Sequence, residues 1–193
     1  MKSSRIQVLI EIAMASALAI ILDTVPFLSF KLWAQGGSVS FAMIPIFLIA
    51  FRWGWKAGLL NGLIFGLLQI ATGQAYIVHP VQGFIDYFLA FTSLGFAGLF
   101  AGQIKAAFAN GRRSATWSYI VAGVFLGSML RFLSHFIAGI VFFAEFAPKG
   151  QPVAIYSLVY NASYMLPAAI LSSVLLGILL SSAPILARAK SHA

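Results

Sequence analysis

The chain contains no cysteine and only four acidic residues in 193. Without cysteine there is neither a disulfide framework nor a thiolate metal site. Charged residues make up 8% of the chain, against about 25% in a soluble domain, and so few cannot cover a water-exposed surface. Several motifs are also missing. No G-x-x-x-x-G-K-[ST] occurs, which excludes a P-loop nucleotide site. No H-E-x-x-H occurs, and His79, His135 and His192 are scattered, which argues against a metal site. Ser134 and His135 are neighbours, but no acid in the sequence pattern is placed to orient the histidine, so a serine hydrolase is disfavoured. Nothing here reads as an enzyme or as a cofactor site.

What is present is hydrophobic: 61% of residues, in long continuous runs. Continuous rather than alternating runs exclude a β-barrel and leave an all-α integral membrane bundle, read as one domain over 1–193. The N-terminal "MKSSRIQVLIEIAMASALAIILD" has the outline of a signal peptide, but its apolar part is long and further spans follow. It is therefore read as a first, uncleaved helix. A span needs about 20 apolar residues. Six candidates fit, over 6–25, 38–51, 56–72, 81–103, 116–143 and 154–182. The tight "RWGWK" makes the second and third antiparallel.

The net charge of +8 would suggest nucleic acid in a soluble protein, but its distribution gives it another meaning. Lys2, Arg5, Arg52, Lys56, Lys105, Arg112, Arg113, Arg188 and Lys190 fall on one side of the expected topology. Lys31 and Lys149 fall on the other, and Arg131 lies within a span. This positive-inside bias places both termini in the cytoplasm, which requires an even number of spans, and it leaves no role for nucleic acid. On the outer side, 26–37 and 144–153 are long connections. They read equally as caps over a cavity or as connectors with Phe30 and Trp33 anchored in the interface.

Polar residues inside spans need a reason. The stretch "VQGFIDYFLAFTSLGFAGLF" holds one charge, Asp86, about 7.5 Å into its span at 1.5 Å per residue. A carboxylate near the bilayer centre costs about 2.5–3.5 kcal/mol on insertion scales, so it is expected to face the bundle interior with a partner. That partner is either Arg131, in a structural ion pair, or a cationic ligand. His135, Gly139 and Phe143 share a helical face with i, i+4, i+8 spacing, with Gly139 leaving room beside the histidine. Asn61, Phe65 and Gln69 form a second such stripe, and Tyr156, Tyr160, Asn161 and Tyr164 cluster in the last span. Tyr76 and His79 add to them from the third connection. Aromatic faces, one acid and an amide suit a small, planar, nitrogen-rich cation. Along the first span, Ala13 with Ala17 and Ala15 with Ala19 form small-x-x-x-small pairs, which serve either packing within the bundle or docking of another membrane protein.

These stretches together resemble the thiamine-specific substrate-binding subunits, or S components, of energy-coupling factor vitamin transporters of Gram-positive bacteria. The residues that carry the resemblance are "EIAMASALA", Trp33, "GLLNGLIFGLLQI", Tyr76-x-x-His79, "FIDYFLAF" with "GFAGLF", His135-x-x-x-Gly139 and "YSLVYNASYMLP", and they span nearly the whole chain. The resemblance implies six helices with both termini inside, and thiamine bound near the outer face under the first loop. It implies Asp86 beside the thiazolium with Tyr87 next to it, and Tyr156 and Asn161 on the aminopyrimidine. Tyr76, Phe65, His135, Gly139 and Phe143 fall at other pocket positions, and Trp33 at that of the lid aromatic. It further implies Ala13 and Ala17 against a transmembrane coupling subunit, two cytoplasmic ATPases that supply the energy, and a location in the plasma membrane. The chain departs from the family pattern with Asp for Glu at 86 and Phe for Trp at 65 and 143, and Phe is the weaker cation–π partner. Alternatives that stay open are an S component for riboflavin or hydroxymethylpyrimidine, a self-sufficient ion-coupled transporter, and a structural membrane protein.

Overall fold

A computed structural model describes residues 2–33 and 36–187; Arg188, Lys190, His192 and the side chain of Lys2 lie outside the described residues. Six helical rods account for most of the chain: α1 Lys2–Thr24, α2 Met43–Trp53, α3 Trp55–Ala71, α4 Pro80–Ala109, α5 Arg113–Phe142 and α6 Val153–Ser182. Among the described residues, α1, α4, α5 and α6 are each long and apolar enough to cross a membrane, whereas α2 and α3 are shorter apolar helices. Gly54 alone joins α2 to α3, with φ of 90°, a left-handed value that glycine adopts without strain.

The all-α expectation is corrected in one place. The connection after α1 contains a β-hairpin, β1 Ser29–Trp33 paired antiparallel with β2 Gly36–Ser40, with Lys31 opposite Ser38 and Trp33 opposite Gly36. The alternation "SVS" is too short to read as a strand until its partner is in place. This also trims the second expected span, because 38–40 belong to the hairpin.

The fourth rod is not a uniform α-helix. It begins with His79 capping the Val81 amide through Nδ1 (3.1 Å), widens to a π-helix over Phe84–Leu89 and tightens to a 3₁₀-helix over Leu94–Phe100. A π-segment inside a helix often marks a functional position, and this one carries Asp86. Close packing against α3 surrounds it. A Cβ at Gly62 or Gly66 would collide with the carbonyl oxygens of Phe91 and Tyr87, so only glycine lets α3 approach the α4 backbone.

The core lies on α2, with Phe47 and Phe51 fully buried among Phe65, Leu94, Ile104, Ile120, Val124, Leu176 and Leu180. Since lipid tails are as apolar as leucine, these contacts act through close packing and not through escape from water. Helix α1 sits at the edge. Ile12, Ser16 and Ala19 face inward, and Ala15 packs on the Ile12–Ile49–Ala57 cluster. Ala13 and Ala17 face outward with Ile10, Met14 and Leu18. The two small-residue pairs thus divide: one is internal packing, the other is open. At the end of the molecule away from the hairpin, Glu11 binds Arg52 Nε (2.6 Å) and Trp53 Nε1 (2.6 Å), and Arg52 Nη1 donates to the carbonyls of Ile185 (2.9 Å) and Leu186 (3.1 Å).

Candidate ligand-binding site

Beneath the hairpin, between α1, α3, α4, α5 and α6, lies a cavity of about 320 Å³. Of the residues singled out from the sequence, Phe65, Tyr76, Asp86, Tyr87, His135, Gly139, Phe143, Tyr156 and Asn161 line it. Trp33 does not. It lies on the outer surface of the hairpin, its indole Nε1 donating to Ser163 Oγ (3.0 Å) and its ring against Tyr160 at 5.3 Å, so it latches the hairpin onto α6.

Asp86 is 7% exposed and holds a defined pair of partners. Gln82, one turn earlier on the same rod, donates Nε2 to Oδ2 at 2.7 Å, and His135 Nδ1 meets Oδ1 at 2.7 Å. Arg131 Nε donates to His135 Nε2 at 3.2 Å. An arginine nitrogen cannot accept, so Nε2 must be the imidazole acceptor and Nδ1 must carry the hydrogen that Asp86 accepts. His135 is therefore neutral and sits between a cation and an anion. The direct Asp86–Arg131 ion pair considered above does not form; the guanidinium stacks over Phe91 at 4.5 Å and reaches Asp86 only through the histidine. The expectation that no acid orients His135 is likewise corrected, since Asp86 comes from another helix. Ser134 remains uninvolved, donating Oγ to the Leu130 carbonyl at 3.1 Å, so no nucleophilic triad results.

Around this charge the walls are braced. Gln82 is almost fully buried, receives the Val78 amide on Oε1 (3.0 Å) and gives Nε2 to the Tyr76 carbonyl (3.2 Å). The Tyr76 amide donates to Tyr87 Oη at 2.7 Å. Together these bonds pin the strand-like stretch after α3 against α4 and set the Tyr76 ring 6.2 Å from that of Phe143. Phe65 is buried in the core and meets Phe91 edge-on at 4.8 Å, so it contributes only part of its surface to the cavity.

Two residues act differently from their sequence reading. A Cβ at Gly139 would collide with Ser157 Oγ, so the glycine makes room for α6 more than for a ligand. The Asn161 amide is already engaged: Nδ2 donates to the Ser157 carbonyl (2.9 Å), and Oδ1 receives Tyr164 Oη (2.7 Å). One lone pair of Oδ1 is left for another donor. Asn61 is not at the cavity. Its Nδ2 ties α3 to Ser16 Oγ (2.6 Å) and the Ile12 carbonyl (3.2 Å) of α1. His79 stacks on Phe142 at 5.2 Å, also outside the cavity lining.

Sequence reasoning noted Gln69, Arg131, Tyr160 and Tyr164 as polar or aromatic residues of the spans without assigning them to the ligand, and passed over Asp23 and Gln82 as site residues, yet all six line the cavity. Gln82 was findable: a glutamine four residues before a buried acid shares its helical face. Asp23, at the end of the first span, looked like a boundary residue and gave no such signal.

The same architecture occurs in known proteins. A solved structure of ThiT from Listeria monocytogenes superposes with a TM-score of 0.89 at 31% identity, covering 96% of this chain and 99% of that one. The thiamine transporter ThiT of Bacillus subtilis is 50% identical over 185 residues, 95% of each chain. Its namesake in Lacticaseibacillus paracasei is 32% identical over 186 residues, 95% of this chain and 91% of that one. The family profile described as Thiamine transporter protein (Thia_YuaJ) matches residues 9–188, and the chain belongs to that family.

Proposed function

We propose that this protein binds thiamine and mediates its uptake as the membrane-embedded S component of an energy-coupling factor transporter. It is a transport protein and not an enzyme. The observation that carries the reading is Asp86: a buried carboxylate with fixed partners, set in an aromatic cavity large enough for two small rings. Thiamine brings a permanent thiazolium charge, which a desolvated carboxylate attracts more strongly than in water. Its flat aminopyrimidine suits the faces of Tyr156, Tyr160 and Phe143. A neutral vitamin such as riboflavin would offer this carboxylate no positive charge.

In this reading all six rods span the plasma membrane of a Gram-positive bacterium, with both termini in the cytoplasm and the hairpin outside. The bias of Lys and Arg supports this orientation, with Lys31 on the hairpin side and Arg52 and Lys105 on the other. With no P-loop of its own, the chain draws its energy in this reading from separate ATPase subunits. The outward Ala13–Ala17 face, where a second helix could approach closely, would receive the transmembrane coupling subunit that works with two ATPase subunits.

Mass spectrometry of small molecules carried by the detergent-purified protein, followed by titration calorimetry, tests the reading. Thiamine should be found and should rebind stoichiometrically. Preferential recovery of a neutral vitamin, or uptake in cells without any coupling subunit, would contradict it.

A further inference from the structure

The charged or protonatable Asp, Lys, Arg and His side chains lining the cavity are Asp23, Lys31, Asp86, Arg131 and His135. Lys31 is exposed on the hairpin, where water screens it. His135 is neutral by its hydrogen bonds, and Arg131 lies within electrostatic reach of both Asp23 and Asp86, so one guanidinium faces two carboxylates. Asp23 is left over. Its Oδ2 receives Gln69 Nε2 (2.6 Å) and its Oδ1 receives Ser38 Oγ (3.4 Å), both neutral donors. It forms no ion pair among the described residues. It also stands in the last turn of α1, which ends at Thr24, where the helix dipole is negative and disfavours a carboxylate. A partly buried carboxylate held only by neutral donors, sharing one guanidinium with Asp86 and set at an adverse dipole, is unfavourable in the empty protein.

We infer that Asp23 is a second, specificity-determining anion of the cavity, which gives it a net charge of minus one and selects a monocation. This rests on the thiamine reading and extends it. Asp86 and Arg131 alone would make a neutral, dipolar cavity with little preference between thiamine and an uncharged molecule of the same shape. Asp23 supplies the excess negative charge that the thiazolium neutralises. Its bond to Ser38 places it where the hairpin meets α1, at the lining of the cavity.

The test compares thiamine with its neutral thiophene isostere, deazathiamine, on the full-length protein in detergent. The wild type should bind thiamine well above the isostere. Asp23→Asn keeps the acceptor for Gln69 and should lower thiamine affinity tenfold or more while changing the isostere less than threefold. Adding Arg131→Gln to Asp23→Asn returns the count to minus one, and the ratio of thiamine to isostere affinity should rise again. Equal losses for both ligands in Asp23→Asn, or no loss for either, would overturn the inference. If Asp23→Asn binds neither ligand, Asp23→Glu decides: a preserved ratio supports the charge role and a collapsed ratio refutes it. A wild type that binds both ligands equally refutes the selection while leaving thiamine binding intact, whereas one that binds neither refutes the thiamine reading itself.

Discussion

Asp86→Asn looks like an isosteric loss of charge, but the structure makes it more than that. Both carboxylate oxygens accept hydrogen bonds at 2.7 Å, from Gln82 Nε2 and His135 Nδ1. An asparagine has one oxygen, so its NH₂ must face one of these donors. Neither neighbour can turn around. Flipping the Gln82 amide would set its NH₂ against the Val78 amide and its oxygen against the Tyr76 carbonyl. Moving the His135 proton to Nε2 would oppose Arg131 Nε–H. The variant therefore keeps a donor–donor contact in a buried place, and an unsatisfied buried donor costs about 1–3 kcal/mol. Loss of the ligand's counter-charge adds about 2–5 kcal/mol to the binding of a cation. Together, these terms lower thiamine affinity at least tenfold, since about 1.4 kcal/mol is one decade. Deazathiamine should lose only the part due to disturbed walls, and the ligand-free variant should melt earlier than the wild type. Calorimetry with both ligands and thermal melting without ligand separate the two contributions. If thiamine and its isostere lose affinity equally, Asp86 is a structural brace and not a counter-ion. An unchanged melting temperature would refute the locked hydrogen-bond pattern.

Further outcomes follow from the same geometry. Gln82→Leu should weaken thiamine binding strongly in the wild-type background and little further when Asp86 is already Asn, because Gln82 acts through that carboxylate; additive losses in a double-mutant cycle would make it a wall residue only. Gly139→Ala introduces a Cβ that meets Ser157 Oγ and should cost about 1–3 kcal/mol of stability, read by thermal melting, with Gly139→Ala/Ser157→Ala recovering part of it. Trp33 lies outside the cavity but against Tyr160, which lines it, so thiamine should change Trp33 fluorescence by shifting that contact, and Trp33→Phe, which also loses the bond to Ser163, should remove most of the change; a persistent signal would assign it to Trp53, Trp55 or Trp117. Ala13→Trp or Ala17→Trp should abolish uptake and co-purification with a coupling subunit while leaving thiamine affinity of the isolated protein within threefold. Ile170→Trp, on an outward position of α6 that is 65% exposed, should affect neither. Ile20 is unsuitable as that control, since it packs partly buried against the core.

The four long rods were legible in the sequence because lipid imposes one rule, a run of apolar residues long enough to cross, and the two shorter ones because their runs are continuous and apolar. Asp86, His135 and the tyrosines stood out for the same reason, as exceptions to that rule. The hairpin was not legible. Its strands are five residues each, and what fixes them is their pairing and the close approach of Gly37 to the Tyr164 ring, 127 positions away in the sequence and invisible to local pattern. Polar partners were misassigned where depth along a helix stood in for geometry. Asp86 and Arg131 were weighed as direct partners, but the intervening residue is His135, one turn from Arg131 on the same face. Asn161 read as an open amide because a sequence shows what a side chain can bond, not what already bonds it.

The π-segment over Phe84–Leu89 explains how these pieces fit. In a regular helix Asp86 and Tyr87 diverge by about 100°, and a wall built on one turns the other away. Across the widened turn Asp86 keeps the Gln82 face, towards His135, and Tyr87 reaches the Tyr76 amide with its hydroxyl. The widened backbone also presents the Tyr87 carbonyl to α3 at the point where Gly66 has no side chain to block it. The sequence thus answers the distortion with a glycine on the facing helix, and the carboxylate is held by backbone geometry as well as by its two hydrogen bonds. Gly66→Ala should therefore disturb the cavity although Gly66 is not among its lining residues. Its collision with the Tyr87 carbonyl pushes α4 off α3, and thiamine affinity should fall together with melting temperature. An intact affinity in a destabilised Gly66→Ala protein would mean that the π-turn holds its shape without α3 and that the helix–helix contact serves stability alone.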